Sequence, residues 1–321
     1  DKADAVDIRV TVPSELIVAS QGLLQSDEID GSWRTFHWRT EYATVTYLVS
    51  LAIYPYYVYS DWYTPLVGPP MEIQFYMFSG EADNNALTND MIAAFALGFG
   101  EYPFINEKYG HAQFTWGGGM EHQTISSMGG FSEDLISHEL AHQWWGDMVT
   151  CATFHHIWLN EGFATWSEAY WKELDDGVET YRQYMDFAAY YGGGTIYVED
   201  PLNDNIFSSS LSYNKASWVV HMLRGVLGDQ DFFAGLAAYR AGFEYASATT
   251  EDLRDVMESV SGRDLDAFFQ QWIYGEYFPV YSYGWSEGPG VGQITVDIDQ
   301  VQTNAGLFTM PITLRVVTDQ G

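Results

Sequence analysis

The chain has 321 residues, more than the roughly 100–200 of an ordinary domain, and 47% are hydrophobic, enough to bury a large core. Lys plus Arg number 13 against 44 Asp plus Glu, and the formal charge of −31 argues against nucleic acid or an anionic membrane as a partner. The one cysteine, Cys151, excludes an internal disulfide and reads as a small buried hydrophobe.

Residues 1 to about 80 read as β structure. The segments 7–12, 35–40 and 43–54 alternate or run apolar, and Gly22 and Gly31 mark turns. The uncharged stretch 42–59 approaches membrane-spanning length. It is interrupted by Thr44, Thr46 and Ser50 and broken by Pro55, so it reads as strands rather than a span. Residues 71–78 give another strand, and helical spacing begins at Asn89 and runs to Phe99. A helix is expected over 132–145, capped by Ser132, with Glu133 and Asp134 at its positive end and Gly146 after it. Another follows from Asn160 to Leu174, then a Gly- and Ser-rich loop from Gly192 to Ser210. Helices resume at about 213–227, 230–242, 250–261 and 264–274, with Thr249 and Asp252 spaced as a capping box. Strand pattern returns over 294–301 and 307–317. The chain opens at Asp1 and stops inside an expected strand, Pro311 to Thr318, so it reads as a piece of a longer polypeptide.

The chemistry concentrates in HELAH, residues 138–142. Four helical steps bring His138 and His142 onto one face, where two imidazoles can meet one cation. Glu139, one step round, can reach a water on that cation without joining the ligand shell. A catalytic zinc takes three protein ligands and an open position, and the next acidic residue on a suitable helix is Glu161. Glu168 lies seven residues on, along the same face. One of the two carboxylates can bind metal while the other braces a histidine N–H.

At these residues the chain resembles the M1 family of zinc aminopeptidases, gluzincins with HELAH, eighteen residues, and Glu161 inside WLNEGFA. WWGDMVT (144–150), GGGMEH (117–122) and SYNKASWVVHMLR (212–224) extend the resemblance in the family's order. It implies an α+β fold: a thermolysin-like catalytic domain, small β-sheet plus helices, flanked by β-domain segments. Residues 1–55 would end an N-terminal β-domain, 56–277 form the catalytic domain and 278–321 open a β-sandwich. One zinc ion would be held by His138, His142 and Glu161, with Glu168 behind the ligands. Glu139 would be the general base and Tyr213 the oxyanion donor. Glu121 would bind the substrate's free α-amine, and Gly118, Gly119 and Met120 would present an edge to the peptide.

The implied activity is removal of N-terminal residues from peptides with a free N-terminus. The acidity and aromatic richness suggest a bacterial, exported enzyme. His122 departs from the family's Asn and introduces a group that titrates near neutral pH. His155 and His156 are also unusual and read as surface or supporting histidines. Three rivals remain: a gluzincin endopeptidase, a non-catalytic M1-like scaffold, and an epoxide hydrolase, for which no basic cluster is visible.

Overall fold

The computed structural model describes residues 2–317. Strict alternation in Val6–Pro13 and Trp33–Thr40 pairs them antiparallel, and Leu23–Asp30 joins on the other side of Trp33–Thr40. Phe36 and Trp38 face inward from that sheet. With Val12, Val18 and Tyr56 they pack against Tyr76, Ala112 and Ile125 of the neighbouring sheet region. The β-rich start of the chain is thus seated on the sheet that carries the site.

That second sheet has five strands, in the order Gly119–Met120, Ser126–Met128, Lys108–Gln113, Met71–Met77, Tyr57–Tyr63. Lys108–Gln113 runs parallel to both of its neighbours, and the outer two pairings are antiparallel. Ile73, Phe75 and Tyr109 are buried, as a strand covered by helices requires. Gly119–Met120 is one of the sheet's two edge strands, on the side of the site, so one row of its backbone groups has no partner within the sheet.

Among the described residues eight helices complete the fold: α1 Thr88–Phe99, α2 Glu133–Ala141, α3 Trp158–Asp175, α4 Val178–Phe187, α5 Ala216–Leu227, α6 Asp229–Phe243, α7 Thr250–Ser261 and α8 Asp266–Trp272. A π-helical segment, Ser209–Lys215, runs directly into α5. Helix α3 is buried on nearly every side from Trp158 to Trp171, because α2, α4 and α5 all pack on it. Its burial in an aromatic core holds the side chains of its first turns, Glu161 among them, in place. The Ser132 hydroxyl caps α2 by accepting Leu135 N–H at 3.3 Å, and Thr249 with Asp252 forms the reciprocal capping box of α7.

The structure corrects several sequence expectations. The 43–54 run is not continuous: Thr44–Val45 and Ala52–Tyr54 are short strands separated by a 3-10 turn, each paired elsewhere. Helix α2 stops at Ala141 rather than Trp145, and tighter turns carry the chain to Gly146. Helix α4, with its polar sequence VETYRQYMDF, and the charged strand Leu23–Asp30 were not expected. Residues 307–317 form no strand. The hairpin Tyr281–Glu287/Ile294–Gln300 does not pair with them, and without a ladder partner an apolar run has no strand to join. Thr318 lies outside the described residues.

Candidate metal and peptide site

His138 stands on the last turn of α2 and His142 directly after it, at the helix's C-cap, with their Nε2 atoms 3.1 Å apart. Each Nδ1 faces an acceptor. That of His138 donates to Glu168 Oε1 at 2.8 Å, and that of His142 to the Trp145 carbonyl at 3.1 Å. Since neither acceptor can donate, the proton of each neutral ring sits on Nδ1 and a lone pair on Nε2. Glu161, from the first turn of α3, brings Oε2 to 3.5 Å from His138 Nε2 and 3.3 Å from His142 Nε2. Two lone pairs and a buried carboxylate oxygen converging within 4.8 Å repel one another unless a positive charge lies among them. The donor set, two imidazoles and a carboxylate, suits a zinc-type cation.

Without a cation a proton must take its place. Burial opposes the imidazolium of His138, but Glu161 and Glu168 overcome it and raise the ring well above the usual range. Burial likewise opposes His142, and Glu121 with Glu161 bring it up to about 9. Burial resists ionisation of Glu161, yet His142 and His138 hold it down at about 2.

Around these three atoms lies a cleft of about 550 Å³. All ten residues singled out from the sequence line it: Gly118, Gly119, Met120, Glu121, His138, Glu139, His142, Glu161, Glu168 and Tyr213. The carboxyl of Glu139 is buried, and its Oε2 has no hydrogen-bond partner. Burial pushes it up to about 8, against the pull of His138 and His142. A cation between the histidines draws that value down, toward the range of a base at neutral pH. The edge strand passes so close that a Cβ added at Gly119 would collide with the Glu139 carboxyl. Gly118, at φ +81°, takes a backbone conformation that other residues rarely adopt.

Glu121 lines the cleft directly after the edge strand. It is buried, and that burial raises its carboxyl despite His142. Tyr213, on the π-helical segment, stacks on His138 with ring centroids 5.9 Å apart. Burial, then Glu161, raises its phenol, so the hydroxyl keeps its proton as a donor.

Several contributors were not singled out in the sequence. The Tyr184 hydroxyl of α4 donates to Glu168 Oε2 at 2.5 Å, so Glu168 is held from both sides. Gln143 accepts from Thr124 N–H at 2.8 Å and the Tyr102 hydroxyl at 3.1 Å, and its amide reaches the Glu121 carbonyl at 3.4 Å. It ties the segment after the edge strand to the end of α2 across 19 residues of sequence, which no local pattern signals. Phe207 lines the cleft from the Gly- and Ser-rich loop.

His122 does not titrate near neutrality. Burial pushes its ring down to about 4, and its Nδ1 is 3.0 Å from Ser127 Oγ, away from the metal donors. His155 Nδ1 donates to the Val198 carbonyl at 2.6 Å, and His156 Nδ1 lies 2.9 Å from Thr250 Oγ1. Both tie the approach to α3 to distant segments. Cys151 is buried, its thiol pushed up to about 12 by burial and then Glu161.

Residues 122–272 match the sequence profile of the peptidase family M1 domain. That stretch, which holds His122, His138, Glu139, His142, Glu161, Glu168 and Tyr213, is what the chain shares with peptidase family M1. The chain is 33% identical over 192 residues to aminopeptidase M1-A of Oryza sativa subsp. japonica, covering 56% of this chain and 22% of the rice protein. To aminopeptidase N of Lactococcus lactis subsp. cremoris it is 34% identical over 172 residues, 50% of this chain and 20% of that one. The matched stretch thus spans less than a quarter of the length of either relative. An M1 zinc metallopeptidase mutant from Deinococcus radiodurans bound to a Tyr-Ser-Ala substrate superimposes with a TM-score of 0.76 at 24% identity, over 87% of this chain and 66% of that one. Legionella pneumophila aminopeptidase A in complex with aspartic acid gives 0.84 at 18% identity, over 94% and 38%. These two likenesses establish the shared α+β fold.

Proposed function

We propose that the chain is the catalytic part of a zinc-dependent aminopeptidase that removes N-terminal residues from peptides. The observation that carries this reading is the convergence of the Nε2 atoms of His138 and His142 with Glu161 Oε2, beside a second buried carboxylate, Glu121, at the end of an edge strand. His138, His142 and Glu161 would hold the ion, which when bound acidifies a water and polarises a carbonyl.

The chain's own residues do the rest. Glu139 takes a proton from the attacking water and later hands it to the leaving amine. Tyr213 donates its hydroxyl proton as a hydrogen bond to the oxygen that gains negative charge. Glu121 pairs with the ammonium of the first residue, which sets the scissile bond one residue from the end. Gly118, Gly119 and Met120 extend the sheet toward the substrate backbone. The same reading takes 1–55 as the end of a β-domain, 56–277 as the catalytic domain and 278–321 as the opening of a β-sandwich.

The test compares one short peptide with a free N-terminus to its N-acetylated form, using the full parent protein with and without chelator. Chelator-sensitive cleavage of the free peptide alone is expected. Cleavage of both would mean an endopeptidase, and cleavage of neither by metal-loaded protein would mean a scaffold.

A further inference from the structure

A second cavity, of about 190 Å³, lies apart from the cleft and shares none of its lining residues. Its walls are aromatic: Tyr190, Trp218, Trp272, Tyr277 and Phe278, with Lys215 among them. Lys215 is buried, and its ammonium donates to the carbonyls of Gly194 at 2.7 Å and Gly275 at 3.0 Å. An ammonium has three protons to give, so one is left. Among the described residues no carboxylate stands within ion-pair distance of it. The neighbouring Glu276 instead accepts Gly194 N–H at 2.8 Å. Trp272 contributes its ring to the wall, while its indole N–H is buried out of reach of the cavity.

Buried charges are ordinarily paired, and buried donors ordinarily bonded. Here a cation bonded to two carbonyls, with a third proton to give and no carboxylate beside it, lines a ring-walled cavity. Its missing occupant should therefore bring acceptor atoms, negative charge and a flat apolar body. A cavity of about 150 Å³ lined by apolar side chains takes benzene, so this one has room for a ring and a small polar group. We propose that the cavity is a second ligand site for an aromatic monocarboxylate of phenylacetate size, its carboxylate on Lys215 and its ring between Trp218 and Phe278. An ammonium-bearing aromatic is disfavoured by Lys215, so free aromatic amino acids are poor ligands there.

The experiment is calorimetric titration of the full protein with phenylacetate, phenylacetamide and phenethylammonium, repeated on protein stripped of metal. Phenylacetate should bind at least about tenfold more tightly than the neutral amide, the lower end for a hydrogen bond to a charged group. Phenethylammonium should not bind, and metal removal should leave phenylacetate binding intact. Lys215→Met should remove the preference for the acid over the amide. Met222→Trp, which fills the cavity and keeps Lys215, should abolish binding of both if the first variant does not fold. Loss of binding with the metal would assign the ligand to the peptide cleft and overturn the proposal. Equal affinity for acid and amide, or no binding of either, would overturn it too.

Discussion

Glu168 Oε1 accepts the Nδ1 proton of His138 at 2.8 Å, and by doing so decides which nitrogen of that ring faces Glu161. Glu168 is itself fixed by the Tyr184 hydroxyl on its other oxygen. Partners of this kind set the tautomer and basicity of a metal-binding histidine, and losing one typically costs about 10–100-fold in metal affinity. Glu168→Ala should therefore weaken zinc binding by about that factor in a chelator competition, and Tyr184→Phe by less. Unchanged affinity in Glu168→Ala would mean that α2 packing alone orients His138.

Glu139 differs from the metal donors in having an oxygen with no partner. Glu139→Gln retains shape and burial but loses the basic site. It should keep the metal and lose about 10²–10⁴ in kcat. Metal analysis together with steady-state rates on one preparation would check this, and retained turnover would exclude a general-base role. Gly119→Ala should injure the same group by collision, lowering kcat and also Tm, since its Cβ has no room beside the carboxyl.

Much of the metal site was legible because it depends on local geometry. His138, Glu139 and His142 are one helical turn, and Glu161 and Glu168 are two turns of a single helix, so periodicity alone orders them. Ser132 and the Thr249–Asp252 box were legible for the same reason. What lay hidden depends on contacts distant in sequence. Tyr184 sits on α4, whose buried positions reduce to Tyr181 and Met185 and leave little apolar stripe to read. Nothing local tells that Gln143 reaches Thr124, or that burial strips His122 of its titration near neutrality. The 43–54 run misled because it is apolar enough for one strand but serves two separate pairings. Tyr213 and Glu121 came from family resemblance, since neither has a distinguishing local pattern.

Tyr213 stacks on a metal-donor ring, and burial and Glu161 keep its hydroxyl protonated as a donor beside the cleft. Tyr213→Phe should preserve the fold and metal content and reduce kcat by about 10²–10³, the cost of removing one oxyanion donor. KM should change little. A change confined to KM would indicate a ground-state contact instead.

The pH dependence of stability should carry the mark of His111. Its ring is fully buried, its Nδ1 lies 2.9 Å from Asn85 Oδ1, and burial pushes it down to about 3. The unfolded chain takes up this proton near pH 6.5 and the folded chain only near pH 3. Between those values the unfolded state binds more protons, so stability rises with pH across the window. The full contribution is present above about pH 6.5, is lost progressively as the pH falls toward 3, and changes no further below it. The swing is on the order of 5 kcal/mol at most, at about 1.4 kcal/mol per pH unit over the window from 6.5 to about 3. His122, pushed down to about 4, should add a smaller loss over the upper part of the same window. Urea midpoints measured from pH 7.5 to 4 should fall for the native chain and fall less steeply for His111→Phe. Identical slopes in the two proteins would mean that His111 protonates in the folded state near its ordinary pH. His122→Asn, by contrast, should leave the acid limb of the peptidase pH profile where it is, because a ring that stays neutral above about pH 5 cannot set that limb.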